Sequence, residues 1–296
     1  MDADLYKLTA RRALTERAAR KFGNGLEAGT FADGVAVEAP LEIRVAGDTV
    51  AVTLRTPGDD SALTLGFLYA EGILAGIEDV GSLYPCGHPD SPDFGNVYEV
   101  LPAAGANLDI ERTASARRGT LTTSACGVCG RQSIEDLLLR CRPVPPSDGV
   151  PLSDVLAVPE RLRAKQPLFA RTGGTHAAGI WDAEGNLLAH FEDVGRHNAV
   201  DKAVGSLILE GRVGRYPNPS LAAPVLLGVS GRASFEILQK AAMARISVVA
   251  SVSAASSLAI DLAERLNVTL ASFVRGGQCT VYTHPERLVF RSTLNG

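Results

Sequence analysis

Hydrophobic and polar positions follow regular patterns along most of the chain, and in its first half they predict a small α+β unit. The stretch "LEIRVAGDTVAVTLRTP" from Leu41 holds two alternating runs about a Gly-Asp turn, which is typical of a β-hairpin. "DDSALTLGFLYAEGIL" begins with acidic residues and has helical apolar spacing, so it predicts a helix. "NVYEVLP" and "LDIER" predict strands, and "RQSIEDLLLRCRPVPP" predicts a short amphipathic helix ended by prolines.

The second half alternates between strand and helix patterns. A helix near 153–165 and a hairpin about "DAEGN" come first, and "RHNAVDKAVGSLILEGR" then predicts a helix of good length. "APVLLGVS" precedes a helix from Ala233, "ISVVASVS" precedes a helix from Ser256, and "VTLASFV" precedes "RGGQCTVYT". Parallel strands covered on both faces are near-continuous apolar runs, so this alternation predicts a layered α/β sheet.

These patterns divide the chain into three regions. Residues 1–34 are polar and Arg-rich, which predicts a tail or a short helix. Residues 35–148 form an N-terminal α+β part, and residues 149–296 form a C-terminal α/β domain. The Pro-rich segment 143–151 is the boundary candidate.

Composition narrows the function classes. Of 296 residues 46% are hydrophobic and 21% charged, which is typical of a globular protein. The net charge is −4, whereas a general nucleic-acid binder has a basic excess. No apolar run approaches the length of a membrane helix, and no signal peptide is visible. Five thinly spread cysteines argue against a secreted disulfide framework and favour a reducing cytoplasm.

Two of the cysteines stand three residues apart in "SACGVCG", at Cys126 and Cys129. A structural zinc needs four ligands, and the chain has no second Cys-x-x-Cys, so we expect no structural metal. A redox dithiol and two inert buried cysteines are alternatives that remain open. The pair precedes a predicted helix and has arginines nearby in sequence, and both features lower the pKa of a thiol. Such a thiolate suits covalent sulfur chemistry.

Small polar residues follow three successive predicted strands, in "GVSGRAS", "SVSAASS" and "FVRGGQC". Ligands of open α/β sheets bind at the carboxyl edge, where backbone N–H groups can bind phosphate. The sequence therefore favours a phosphate-bearing ligand at this edge. "EDVGRHNAVDKAVG" concentrates polar residues at another turn, which is either a capped, salt-bridged helix start or part of a pocket.

Several segments taken together resemble the formate dehydrogenase accessory sulfurtransferases (FdhD). They run in the family's order from about Pro40 to Leu288, and the most specific of them is "FEDVGRHNAVDKAVG". The other segments are "PLEIRVAGDTVAVTLRTPGDD", "TSACGVCG", "TGGTHAAG", "SGRASFEILQKAAMARI", "VSAASSLAIDLAERLNVTLASFVRGG" and "VYTHPERL".

The resemblance implies a cytoplasmic, homodimeric sulfurtransferase required for formate dehydrogenase activity. It would take sulfane sulfur from a cysteine desulfurase as a persulfide on Cys126, assisted by Cys129. It would then pass the sulfur to a molybdenum or tungsten bis-guanine-dinucleotide cofactor, for which GDP is a mimic. A non-catalytic cofactor carrier and a dithiol oxidoreductase are the alternatives.

The resemblance also implies a fold and a cofactor segment. The fold is a cytidine-deaminase-like three-layer α/β sandwich with a smaller N-terminal α+β part. The Pro-Cys-x-x-Cys signature of true deaminases is not matched, since the pair follows Ser-Ala. The family's cofactor segment falls on Phe273, Val274, Arg275, Gly276, Gly277 and Gln278. The strand ends add Ser230, Gly231, Arg232 and Ser253 to the expected cofactor-binding residues.

Overall fold

A computed structural model describes residues 13–23, 26–88, 91, 94–106, 108, 141–146 and 149–290. Cys126 and Cys129 lie outside the described residues. So do all of the predicted strand "LDIER" after Leu108 and the predicted helix "RQSIEDLLLRCRPVPP" up to residue 140.

An antiparallel hairpin of β1 (Leu14–Gly23) and β2 (Leu26–Ala36) begins the described chain. The prediction of a polar tail or a short helix was therefore wrong for residues 14–34. Backbone pairing runs the length of the hairpin and forms whatever the side chains are, while many side chains on both faces stay exposed. The alternation that reveals a half-buried strand is thus absent from the sequence.

A four-stranded sheet with one helix follows, and its strand order is β4-β3-β6-β5. Its elements are β3 (Ala39–Val45), β4 (Asp48–Arg55), α1 (Asp60–Ala70), β5 (Val80–Pro85) and β6 (Val97–Pro102). The predicted hairpin is confirmed, and Leu41, Ile43 and Val45 are buried from one face of β3. Its turn is Ala46-Gly47, both with positive φ, as a two-residue hairpin loop requires.

The C-terminal half contains seven short helices and strands that alternate as predicted, apart from a split first helix. The elements are β7 (Val150–Pro151), α2 (Leu152–Leu156), α3 (Val158–Arg163), α4 (Pro167–Thr172), β8 (His176–Trp181), β9 (Leu187–Asp193), α5 (Arg196–Leu209), β10 (Leu226–Val229), α6 (Phe235–Met243), β11 (Val248–Ser251), α7 (Ser257–Arg265), β12 (Thr269–Arg275), β13 (Gln278–Thr283) and β14 (Leu288–Val289).

The principal sheet has six strands in the order β13-β12-β11-β10-β8-β9. Strands β10, β11 and β12 are parallel, while β8 runs antiparallel to both β10 and β9. The carboxyl ends of β10 and β11 therefore lie at the same edge as the start of β8 and the end of β9. That edge is where the predicted ligand-binding turns come together.

Helices cover both faces of the principal sheet. Helices α2 and α3 pack on one face through residues such as Val155 and Leu162, together with Trp181 of β8. The other face shares a large buried cluster with α5, α6 and α7, and this cluster continues into α1 and the four-stranded sheet. The predicted three-layer α/β sandwich with an N-terminal α+β part is confirmed. The exact division at residues 148 and 149 stays a prediction.

Helices α1 and α5 approach closely because each has a glycine at the contact. A Cβ atom at Gly66 would collide with the carbonyl oxygen of Asp201, and one at Gly205 would collide with that of Ala62. This contact fixes α5, whose first residues reach the ligand-binding edge. None of the helices in the described ranges is long and apolar enough to cross a membrane.

Candidate functional site at the carboxyl edge of the sheet

The turns after β10 and β11 are held together by hydrogen bonds within the protein. The Ser230 amide donates to the Ala177 carbonyl oxygen over 3.0 Å, and the Ser253 amide donates to Ser251 Oγ over 3.2 Å. Ser251 Oγ donates to the Gly231 carbonyl oxygen over 2.8 Å. Because these two amides are already used, the expectation that every strand-end N–H group faces a ligand fails at Ser230 and Ser253.

The predicted cofactor segment lies at the end of the neighbouring strand, β12. The Phe273 amide donates to the Ser253 carbonyl oxygen over 3.0 Å, which joins this segment to the turn after β11. The structure therefore brings the predicted residues of β10, β11 and β12 to one continuous edge. Val274 is buried, whereas Arg275 and Gln278 are exposed.

The backbone of this segment has an unusual conformation. Phe273 has a φ of 53° within a strand, at a point where the register of β12 and β13 shifts. The guanidinium carbon of Arg275 lies 5.6 Å from the centre of the Phe273 ring. Gly276 and Gly277, both with positive φ, form a two-residue turn directly after it. Residues other than glycine seldom adopt positive φ, and such strain clusters at binding sites.

Arg196, the first residue of α5, extends along the same edge. Its Cδ would lie 3.2 Å from a Cβ atom at Gly231, and His176 Nδ1 would lie 3.3 Å from it, so both side chains occupy the room that the glycine leaves. Arg196 Nε is buried and has no hydrogen-bond partner among the described residues. Burial and the nearby Arg232 lower the pKa of the Arg196 guanidinium, while Glu236 opposes them.

His176 is neutral at this edge at physiological pH. Burial lowers the pKa of its imidazole, the Arg196 charge lowers it further, and Asp193 acts in the opposite direction. Its neighbour in the site is Ser230, whose Oγ accepts a hydrogen bond from the Ala177 amide over 2.9 Å. Since that Oγ serves as an acceptor there, its hydroxyl hydrogen is available for a ligand.

A cavity of about 960 Å³ opens beside this edge, between the strand ends and helices α3 and α4. Leu162, Phe169 and Val252 contribute apolar wall, and His176 and Ser230 contribute polar groups. Sequence reasoning missed both the cavity and Arg196. The "TGGTH" stretch, whose Gly173–His176 residues line the cavity, was the available signal.

The other polar residues of "EDVGRHNAVDKAVG" form a closed network. Asp193 is fully buried and accepts hydrogen bonds from the Thr56 and Gly195 amides and from Asn198 Nδ2. Its fourth partner is Lys202 Nζ at 2.8 Å, which also donates to the Thr56 carbonyl oxygen. Of the two open alternatives, this side of the turn is therefore a salt-bridged helix start.

Two further residues of the stretch are also engaged in structure. Glu192 accepts from the Leu168 and Phe169 amides and thereby holds the start of α4. His197 Nε2 lies 3.0 Å from Ser234 Oγ and 3.4 Å from a Glu236 carboxylate oxygen.

The described cysteines are Cys86, Cys141 and Cys279. Cys141 is buried and the other two are half-buried. Burial raises the pKa of the Cys279 thiol, which makes it a weaker nucleophile at neutral pH. Within the described ranges, no three side chains of His, Cys, Asp or Glu come together as a metal site.

Comparison with known proteins gives one consistent result. The model of the FdhD/NarQ family matches residues 36–289. The chain is 55% identical over 261 residues to the sulfur carrier protein FdhD of Anaeromyxobacter dehalogenans strain 2CP-C, covering 88% of this chain and 90% of that protein. It is 45% identical over 269 residues to the sulfur carrier protein FdhD of Mycobacterium tuberculosis, covering 88% and 93%.

Among solved structures, the fold is similar to that of a protein assigned as a formate dehydrogenase accessory protein of Desulfotalea psychrophila. The TM-score is 0.70 at 21% identity, and the match covers 94% of this chain and 100% of the other. At this identity the likeness concerns the fold alone.

Proposed function

The chain belongs to the FdhD/NarQ family, and on that premise we propose that it is a sulfur carrier that serves formate dehydrogenase. The observation that carries the proposal is the 55% identity to a sulfur carrier protein over nearly the whole of both chains. The strained, exposed edge of the principal sheet supports it, because it offers a place to hold the substrate.

The sulfur travels on Cys126. The Cys126 thiolate attacks the terminal sulfur of a persulfide on a cysteine desulfurase, and the desulfurase cysteine leaves as a thiolate. Cys126 then carries the persulfide to the molybdenum or tungsten bis-guanine-dinucleotide cofactor, which is the substrate. Transfer of this sulfur as sulfide requires two electrons, and Cys129 supplies them by forming a disulfide with Cys126.

The sheet edge holds the guanine nucleotide of that substrate. Arg275 offers an exposed guanidinium for phosphate, and the side chains of Ser230, Arg232 and Ser253 stand on the adjoining turns. Gly231 keeps the neighbouring turn narrow. Fixing a large substrate by a distant nucleotide while sulfur reaches the metal is catalysis by positioning.

The proposed setting is the cytoplasm, and the working form is a homodimer. The partners are a cysteine desulfurase that loads Cys126 and a formate dehydrogenase that receives the sulfurated cofactor.

Activation of formate dehydrogenase tests the proposal. The Cys126→Ala variant should abolish activation but still bind GDP as well as the wild type. The Cys129→Ala variant should load a persulfide but fail to release its sulfur without an added thiol. Full activation by Cys126→Ala would favour a non-catalytic cofactor carrier instead, and equal loss of loading in both variants would favour a dithiol oxidoreductase.

The Arg275→Ala variant tests the substrate edge separately. A charge-assisted hydrogen bond contributes about 1.5–3 kcal/mol, so GDP affinity should fall about ten- to hundred-fold. Persulfide loading on Cys126 should be unchanged, because the two stations are distinct. Unchanged GDP affinity in a calorimetric titration would mean that Arg275 does not contact the nucleotide.

A further inference from the structure

The cavity beside β10 and β11 has the size and the walls of a nucleoside site. Its volume of about 960 Å³ lies within the range of small-molecule sites. The guanidinium carbon of Arg163 lies 4.7 Å from the centre of the Phe169 ring, and both residues line the cavity. A planar wall of ring and guanidinium is a surface on which an aromatic base can stack.

Cationic groups next to the cavity are incompletely paired. Arg196 Nε is buried without a hydrogen-bond partner among the described residues, although a buried donor left unpaired is costly. The charge of Arg232 acts on the same guanidinium, and Glu236 offsets it only in part. Two arginines placed together in this way suit the bidentate binding of a phosphate.

Gly231 allows this arrangement. Arg196 and His176 both lie within 3.4 Å of the place where a side chain at residue 231 would begin. His176 also lines the cavity, so the arginine and the cavity are connected through this histidine. The cavity and the arginine pair are therefore adjacent parts of one surface.

We infer that the cavity binds the base and sugar of a guanosine diphosphate unit, and that Arg196 with Arg232 binds its phosphates. This inference rests on the proposed function, because the guanine-dinucleotide substrate is what brings such a unit to the sheet edge. The nucleotide then lies along the edge from the cavity towards Arg275. Arg196, His176 and the cavity wall are added to the residues that the sequence indicated.

Calorimetric titration of the full chain with GDP tests the inference. Arg196→Met removes the charge, and Arg196→Lys keeps it but removes the fork. Ala164→Trp narrows the cavity from an exposed position on its rim. Arg265→Met is the matched control, since Arg265 is an exposed arginine at the opposite end of α7 from the sheet edge.

The two parts of the site should separate when pyrophosphate and guanosine are used as competitors. Arg196→Met should weaken GDP binding about ten- to hundred-fold and abolish competition by pyrophosphate, while guanosine still competes. Ala164→Trp should weaken GDP binding and abolish competition by guanosine, while pyrophosphate still competes. Arg196→Lys should fall between wild type and Arg196→Met, and Arg265→Met should match the wild type.

Several results would overturn the inference. GDP affinity within twofold of wild type in both Arg196→Met and Ala164→Trp would do so, and loss of binding in Arg275→Ala alone would then leave the proposed function intact. Pyrophosphate that binds as tightly as GDP would indicate a site for free anions. Failure of the wild type to bind GDP would overturn both the inference and the nucleotide part of the proposed function.

Discussion

The first turn of α5 has two sides that differ in how their charges are satisfied. On one side Asp193 and Lys202 are buried, and every polar atom of the Asp193 carboxylate has a protein donor. On the other side Arg196 Nε is buried without a described partner and Arg232 is exposed beside it. Residues only a few positions apart thus have opposite environments.

This contrast separates structural polar residues from those available to a ligand. A fully paired buried network fixes the position of the helix and has no capacity left for a further partner. An incompletely paired cation at a cavity keeps that capacity. The Asp193 side therefore holds α5 against Thr56, and the Arg196 side faces the substrate edge.

The largest effect should follow from opening the closed side. Asp193→Ala leaves the buried Lys202 ammonium without its carboxylate, and breaking such a pair costs about 3–5 kcal/mol of unfolding free energy. Glu210→Ala is the control, because it breaks a pair with Arg212 at the surface and should cost at most about 1 kcal/mol. Equal losses in the two variants by urea denaturation would contradict a structural role for the Asp193 network.

A second buried aspartate on α5 should make stability depend on pH. Burial raises the pKa of the Asp201 carboxyl to about 6, although Lys240 Nζ at 2.6 Å acts to lower it. The folded chain therefore binds this proton more tightly than the unfolded chain does. The stability that Asp201 contributes should be fully present below about pH 4 and fall as pH rises towards 6.

Asp201→Asn removes this titration and provides the reference. The difference in unfolding free energy between wild type and Asp201→Asn should decrease between pH 4 and 6 and then level off. A difference that is constant over that interval, or that grows with pH, would contradict the raised pKa.

The smallest change should act on the open side. Gly231→Ala places a methyl group against Arg196 and His176, and displacing them should weaken GDP binding about fivefold, which is about 1 kcal/mol. Gly23→Ala on the N-terminal hairpin meets no atom within 4 Å and should leave binding unchanged. A Gly231→Ala variant with wild-type affinity would mean that Arg196 does not need its present position.

The sequence was sufficient for the elements with buried faces. The alternation at Leu41, Ile43 and Val45 and the apolar runs of β10 and β11 each reflect a face that leaves water. The hairpin β1–β2 was missed because its pairing is made by the backbone and leaves much of its surface exposed. Periodicity carries no signal where side chains are not sorted between core and solvent.

The candidate site was predictable only in part, for a different reason. Phe273–Gln278 and the strand ends stand out because small residues interrupt apolar runs at one edge. Arg196 does not stand out, since its environment depends on Gly231 and His176, which are distant in sequence. Which polar residues are paired and which face a cavity is decided by tertiary contacts that local patterns do not encode.

The transfer of sulfur on Cys126 is the claim on which the function rests, and peptide mapping by mass spectrometry tests it most directly. After incubation with a cysteine desulfurase and cysteine, the intact chain should gain the mass of one sulfur atom. Mapping should place that sulfur on Cys126 and leave Cys86, Cys141 and Cys279 unmodified. Sulfur found mainly on one of those three cysteines, or loading that persists undiminished in Cys126→Ala, would contradict the proposed function.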